Sequence, residues 1–356
     1  VPVDAFLLLS FGGPEGPDDV MPFLRNVTAG RGVPEERLLE VAEHYQHFGG
    51  VSPINEQNRA LLRAIEADFR DQGVGLPLYW GNRNWQPMLA DTLAQMRDDG
   101  VEFAVGLATS AYAGYSSCRQ YLEDIAAARA KVGPGAPEVV KLPHFYDRPG
   151  FVEPHVDAVR AALAKVGPGP ARIVFTAHSI PLSMARTAGP GAGEGSAEPS
   201  GVQSVGLYEA QLREVARLVA ERAAPGLAWD LVWQSRSGPP QVPWLEPDVN
   251  DHLRTVAEKA VVVSPIGFVS DHLEVIWDLD NEAAATAAEL SLAYARAATP
   301  GTDPRFVRMI TDLVREAMAA PQATAPSDTR PTPGLGRLSA IQTCGAGCCP
   351  APARRG

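Results

Sequence analysis

Apolar residues along this chain gather in short runs bounded by Gly, Pro, Asn and Asp. Between the runs, their spacing lengthens to the three-and-four period of amphipathic helices. In the first half, AFLLLSF (5–11), LPLYWG (76–81) and EFAVGLATS (102–110) read as buried strands, with helical patterns at 17–27, 35–47, 54–72 and 86–99. The second half alternates in the same way. RIVFTAHS (172–179), WDLVWQS (229–235) and KAVVVSPIGFV (259–269) are strands, with helices expected at 204–223, 250–259 and, rich in Ala, 271–297. Continuous apolar strands separated by helices predict parallel sheets covered on both faces. The expected class is α/β, with two doubly wound domains at 1–142 and 143–297 and a cleft between them. In such folds ligands bind beyond the carboxyl ends of the strands. A helix within 298–319 is expected to pack back on the body, and 320–356 to form a linker and a cysteine-rich tail. The Gly/Pro/Ser-rich segment 187–201 reads as a loop, and no internal sequence repeat is evident.

Composition narrows the possible partners. The chain has 356 residues, 45% of them hydrophobic, which is enough for a full core. A net charge of −11 argues against a nucleic-acid partner, whose footprint is a basic stripe. A local Arg or a helix N-terminus can still hold an anionic ligand. No apolar run approaches the roughly 18 residues of a membrane span. The opening VPVDAFLLLSFGG lacks a basic leader and its apolar core is short for a signal peptide, so a cytoplasmic location is expected. Without heptads or an apolar interface pattern, a monomer is expected.

The stretch SDHLEVIWDLDNE (270–282) carries the most suggestive chemistry. Glu274, Asp278 and Glu282 stand four residues apart, which places them on one helix face, with His272 beside them. At roughly 6 Å and an effective dielectric near 20, two carboxylates repel by about 3 kcal/mol. Fully exposed, such a pair costs only about 0.2–0.5 kcal/mol. From spacing alone the favoured reading is structural: Asp271 as N-cap and Glu274 at N3 of a capping box, with a solvated acidic face behind them. The functional reading requires Glu274 to meet His178, at the end of the FTAHSIP strand, from a neighbouring strand of the same sheet.

Other motifs are weaker. FGGPEGP (11–17) is neither a dinucleotide fingerprint nor a P-loop and reads as a tight strand-to-helix turn. In HFGGVSPI (47–54), Ser52 suits a helix N-cap as well as a ligand contact. Four cysteines are present: Cys118 in YSSCRQY, and Cys344, Cys348 and Cys349 in TCGAGCCP. A reducing compartment disfavours structural disulfides. The spacing leaves zinc, an iron–sulfur cluster and free thiols open. Adjacent Cys348 and Cys349 are expected to reach one tetrahedral ion with difficulty, whereas a two-iron cluster accommodates them.

Taken together, LLLSFGGPE, FGGVSPI, YWGNRNWQP, FTAHSIP, WQSRSGPPQVPWLEP and SPIGFVSDHLEVIWDLD resemble the ferrochelatase family in order and separation over nearly the whole chain. The resemblance implies two Rossmann-like domains and insertion of Fe²⁺ into a porphyrin. It also implies His178 and Glu274 as active-site residues that meet the substrate iron, and Asp278 and Glu282 as an inner file of acids for the metal. Ser52 and Tyr121 match porphyrin contacts of bacterial members. Phe11 stands where some members carry a Tyr able to ligate iron, and a phenyl ring cannot. His44 replaces an Arg of other bacterial members, which leaves propionate anchoring to Arg31, Ser52 and Tyr121. The CGAGCCP tail is similar to that of actinobacterial members that use coproporphyrin III and hold a [2Fe–2S] cluster. The implied cluster ligands are Cys344, Cys348, Cys349 and Cys118.

Overall fold

The computed structural model describes residues 2–190, 206–238, 241–319, 334–336, 338 and 347–351. It contains two four-stranded, wholly parallel sheets. The first has the order β2-β1-β3-β4, built from Ala5–Ser10 (β1), Leu78–Asn82 (β2), Phe103–Ala108 (β3) and Glu138–Lys141 (β4). The second has the order β6-β5-β7-β8, from Ala171–His178 (β5), Trp229–Gln234 (β6), Ala260–Ser264 (β7) and Ala293–Arg296 (β8). Each sheet therefore has the same internal order, with the switch between its first and third strands. In the second sheet that switch lies between β5 and β7, which pair from Ala171↔Ala260 to Phe175↔Ser264.

The helices of the first half are Val20–Val27 (α1), Glu35–His47 (α2), Ile54–Asp71 (α3), Leu89–Asp98 (α4) and Gln120–Val132 (α5). Pro149–Val166 (α6), Leu182–Arg186 (α7), Leu207–Ala223 (α8) and Val249–Leu253 (α9) belong to the second half. β1 is buried along its whole length, as expected of a strand covered on both faces. One hydrophobic cluster runs from Phe6 and Leu8 of β1 through Phe151 of α6 to Ile173 and Phe175 of β5, so the two sheets share a continuous core. Pro304–Ala319 is a helix whose Phe306, Ile310 and Val314 join that cluster, against α6 and α3.

Two sequence expectations fail here for identifiable reasons. The strand expected over 259–269 ends at Ser264, because Pro265 has no N–H for the ladder and the chain turns back on itself. The long helix expected over 271–297 is broken. It comprises Leu273–Val275 (α10), a π-helical stretch Ile276–Ala283 and Ala284–Glu289 (α11), followed by Ser291 in the left-handed region (φ 56°). The remaining residues pair with β7 as edge strand β8. Ala-rich composition favours helix only weakly, and tertiary pairing overrides it.

Candidate active site

β5 delivers His178 to its carboxyl end. Gly267 delivers the opposing segment. A Cβ at this position would lie 2.6 Å from the Ala177 Cβ, so only glycine lets the chain leaving β7 cross the end of β5 at that distance. The Gly267 N–H donates to the Thr176 carbonyl at 3.1 Å and fixes the crossing. The segment then reaches α10, and Glu274 Oε2 comes within 3.7 Å of His178 Nε2. The neighbouring-strand condition set by the sequence is met by the β5–β7 pairing. Both side chains stay accessible, His178 at 33% and Glu274 at 49%, so a ligand can reach them.

The chemistry of His178 follows from its partners. Nδ1 lies 2.5 Å from the Ser179 carbonyl oxygen. A carbonyl only accepts, so Nδ1 carries the proton, and in the neutral ring Nε2 presents a lone pair toward Glu274. The Tyr208 hydroxyl donates to the His178 carbonyl at 2.9 Å and holds the backbone. His272 lies close enough to both to feel their charges, and burial keeps its pKa below the ordinary imidazole value.

The capping box does not form. The N-cap of α10 is His272, and no side chain caps it. Asp271 instead bonds to Arg296 and Thr299. Glu274 and Glu282 are exposed, in keeping with the solvated face that spacing favoured, whereas Asp278 between them is partly buried. Asp278 is pushed up to about 7, chiefly by burial and further by the charges of Glu274 and Glu282. Hydrogen bonds from Ser235 Oγ and Gln234 Nε2 pull the other way. Ser235 adopts a left-handed backbone (φ 60°) at the end of β6, a conformation costly for a non-glycine residue. The π-helical bonding of Ile276–Ala283 is a feature frequent at functional sites.

A raised carboxylate pKa fixes a sign. Between the ordinary Asp value of about 3.9 and about 7, the unfolded chain has released a proton that the folded chain retains, so Asp278 lowers stability as pH rises through that window. Asp278→Asn should therefore melt a few degrees higher than the parent at pH 8 and no higher at pH 4. Calorimetric scans at the two pH values check this, and an equal difference at both would refute it.

The first half closes over this segment. His44 of α2 stacks on Trp277, with centroids 3.9 Å apart and planes 8° apart, while His47 and Phe48 meet the same indole edge-on. Burial lowers the His44 pKa, and the Glu282 charge opposes this. Tyr45 feels the Glu274 charge, and its pKa is raised above the ordinary phenol value, mainly by burial. The Asp271 N–H donates to Gln57 Oε1 of α3 at 2.8 Å.

The remaining candidates are dispersed. Ser52 is buried beside Gly13, where a Cβ would come within 2.7 Å of the Ser52 Cβ, and its N–H donates to the Pro14 carbonyl. It does not cap α3, whose N-cap is Pro53. Phe11 is exposed and meets Phe23 edge-on, and Arg31 is exposed on the turn between α1 and α2. Tyr121 is 5% exposed, inside the cluster of Leu7, Leu93 and Ile125, with the Arg83 guanidinium 4.1 Å above its ring. Sequence reasoning missed Gln234 and Ser235, which hold Asp278. Their signal was the WQSRSGPP segment, where a polar pair follows an apolar strand.

Cys118, Cys348 and Cys349 are buried, and Cys344 lies outside the described residues. The Cys348 and Cys349 sulfurs are 3.7 Å apart, and the Gly189 N–H donates to the Cys349 sulfur at 3.2 Å. Cys349 takes φ 50°. Among the described residues no group of three or more His, Cys, Asp or Glu is assembled around a metal position. No helix among them is long and apolar enough to cross a membrane.

The family model that matches the chain is Ferrochelatase, over residues 3–318. The chain is 55% identical to a coproporphyrin III ferrochelatase of Nocardia farcinica, covering 99% of this chain and 98% of the relative. It is 53% identical to that of Mycolicibacterium smegmatis, covering 98% of each, and 52% identical to that of Streptomyces griseus, covering 99% and 94%. Among solved structures, SirB from Bacillus subtilis with Fe³⁺ superposes with a TM-score of 0.52 at 13% identity, over 89% of this chain and 96% of that one. At that identity the match speaks to the fold.

Proposed function

This chain belongs to the ferrochelatase family, a family of lyases, and from that premise we propose that it inserts Fe²⁺ into coproporphyrin III to give coproheme in haem biosynthesis. The observation that carries the reading is the meeting of His178 Nε2 and Glu274 Oε2 at 3.7 Å, beyond the switch point of the second sheet. Metallation requires two protons to leave the pyrrole nitrogens and a metal to shed its water. His178, with Nδ1 committed to Ser179, offers Nε2 as the acceptor of a pyrrole proton. Glu274 faces it as the second acceptor and as the last oxygen to hold the iron. Asp278 and Glu282 supply hard oxygen ligands, which bind Fe²⁺ without gripping it. A cation arriving at Asp278 favours the charged carboxylate and so opposes the burial that raises its pKa. The choice of coproporphyrin III draws support from the names of the relatives. Ser52, Tyr121, Arg31 and Phe11 are proposed to border the ring.

The test is anaerobic Fe²⁺ with coproporphyrin III and protoporphyrin IX in parallel, following the porphyrin spectrum. The expected result is faster metallation of coproporphyrin III. A carrier without turnover would bind the ring and leave its spectrum unmetallated, and faster use of protoporphyrin IX would overturn the substrate assignment.

We also propose that Cys118, Cys348, Cys349 and Cys344 hold a [2Fe–2S] cluster that joins the tail to the body. The buried thiols and the N–H donor to Cys349 suit it. Such a cluster supplies reversible one-electron chemistry, which metallation does not use, so its place here is structural. The purified protein should absorb in the visible and bleach with dithionite, and stoichiometric zinc without iron would refute the cluster.

A further inference from the structure

The segment that carries His272, Glu274 and Asp278 has little of its own to hold its shape. α10 is three residues long, lacks a side-chain cap and passes directly into π-helical bonding. Short helices of this kind are not self-supporting. What holds the segment lies outside it. Arg296 is the last residue of β8, registered against Val263 of β7. Its Nη1 and Nη2 donate to the two oxygens of Asp271 at 3.0 and 3.1 Å, and its Nε donates to Asp280 Oδ1 at 2.7 Å. Thr299 Oγ1 adds a bond to Asp271 at 3.2 Å. One guanidinium thus grips the chain just before His272 and again two residues after Asp278. The Asp271 amide also bonds to Gln57 on α3, so the same residue is anchored to the first half of the molecule.

We propose that Arg296 is a positioning residue for metallation. It sets the distance from Glu274 to His178 and the pose of Asp278 by clamping Asp271 and Asp280. This inference rests on the assignment of His178 and Glu274 made above. A planar, permanently charged fork engages one carboxylate with two donors and a second with the third, whereas lysine offers a single point charge. The site needs this because five acids lie within residues 271–282. Left unclamped, they would repel one another and open the segment. Partly buried Arg296, at 17% exposure, pairs with the two that the mechanism does not use and cancels one of their two charges.

The experiment compares Arg296→Gln, Arg296→Lys and Asp280→Asn in the full-length protein. The kinetic readouts are anaerobic metallation rate and KM for the porphyrin, and fluorescence quenching titrates binding sites so that rates are expressed per competent molecule. A misplacement on the order of 1 Å costs about 10²-fold in rate. Arg296→Gln should therefore lose roughly 10²-fold in kcat with porphyrin KM and Kd unchanged, and Arg296→Lys and Asp280→Asn should each lose roughly tenfold. A purely structural role would reduce the number of binding sites or the melting temperature and leave kcat per site at the parent value. That result in Arg296→Lys and Asp280→Asn overturns the proposal, even where Arg296→Gln does not fold. Glu274→Gln, run alongside, separates the two levels. If it retains activity, the assignment of the site fails. If it is inactive while the Arg296 and Asp280 variants match the parent, only the clamp fails.

Discussion

His178→Ala should abolish iron insertion while porphyrin still binds within a few-fold of the parent affinity. The expectation rests on the two sides of the imidazole. One side, Nδ1–H, is committed to the Ser179 carbonyl, and this fixes the tautomer. The other, Nε2, is the lone pair 3.7 Å from Glu274 Oε2. A positioned proton acceptor contributes typically about 10²–10⁴-fold. Where the same group also meets the arriving metal, the loss should stand at the upper end, about 10³-fold or more in kcat. The fold should survive, because His178 holds its place through its backbone: its carbonyl accepts from Tyr208 and its strand is paired on both sides. Anaerobic spectrophotometry, porphyrin fluorescence quenching and a thermal melt separate the three quantities. Turnover within tenfold of the parent would remove His178 from the mechanism. Partial rescue by added imidazole, which can occupy the space left by the ring, would identify the missing group as the acceptor itself.

The sequence carried the secondary structure of the sheets well because both are parallel and covered. Such strands are continuous apolar runs, and β1, β3 and β5 appear at nearly their observed bounds. The shared strand order of the two halves leaves no sequence repeat, since many apolar combinations fill the same layer. Two of the four edge strands were invisible, whereas the edge strands β2 and β6 were read from the sequence. β4 (EVVK) and β8 (AYAR) are short, and their state is decided by a neighbour, not by their own pattern. The meeting of His178 and Glu274 required β5 and β7 to be neighbours although β6 intervenes in the chain, which is a fact of topology. Local spacing favoured a capping box at Asp271, and the box lost to Arg296, a cation 25 residues away. The surroundings of Tyr121, the apolar cluster of the first sheet with the Arg83 guanidinium over its ring, were likewise not legible from its local spacing. The resemblance to a family supplied the roles that spacing could not, and the geometry supplied what neither contained, namely the support of Asp278 by Ser235 and Gln234.

Glu274→Gln is the second large effect, and it tests the electrostatics of the acid file as well as the chemistry. The change keeps the shape while removing the charge and the capacity to take a proton, and it turns one acceptor oxygen into an NH₂ donor. Metallation should fall by about 10²–10⁴-fold, with porphyrin affinity unchanged, because 49% exposure and the 3.7 Å approach to His178 place Glu274 on the open side of the pair. A second consequence follows from its neighbour. The Glu274 charge is one of the influences that raise Asp278 to about 7, so a neutral Gln should lower the pH at which Asp278 ionises. An infrared titration of the carboxyl band, with Asp278→Asn as the blank, reads that shift directly. The two measurements together discriminate between roles. Lost turnover with the Asp278 titration moved downward is the signature of a carboxylate at the head of the file. Lost turnover with an unmoved titration would separate Glu274 from the acids behind it and break the file into independent sites. Undiminished turnover would leave His178 without its partner and refute the pairing from which the mechanism is built.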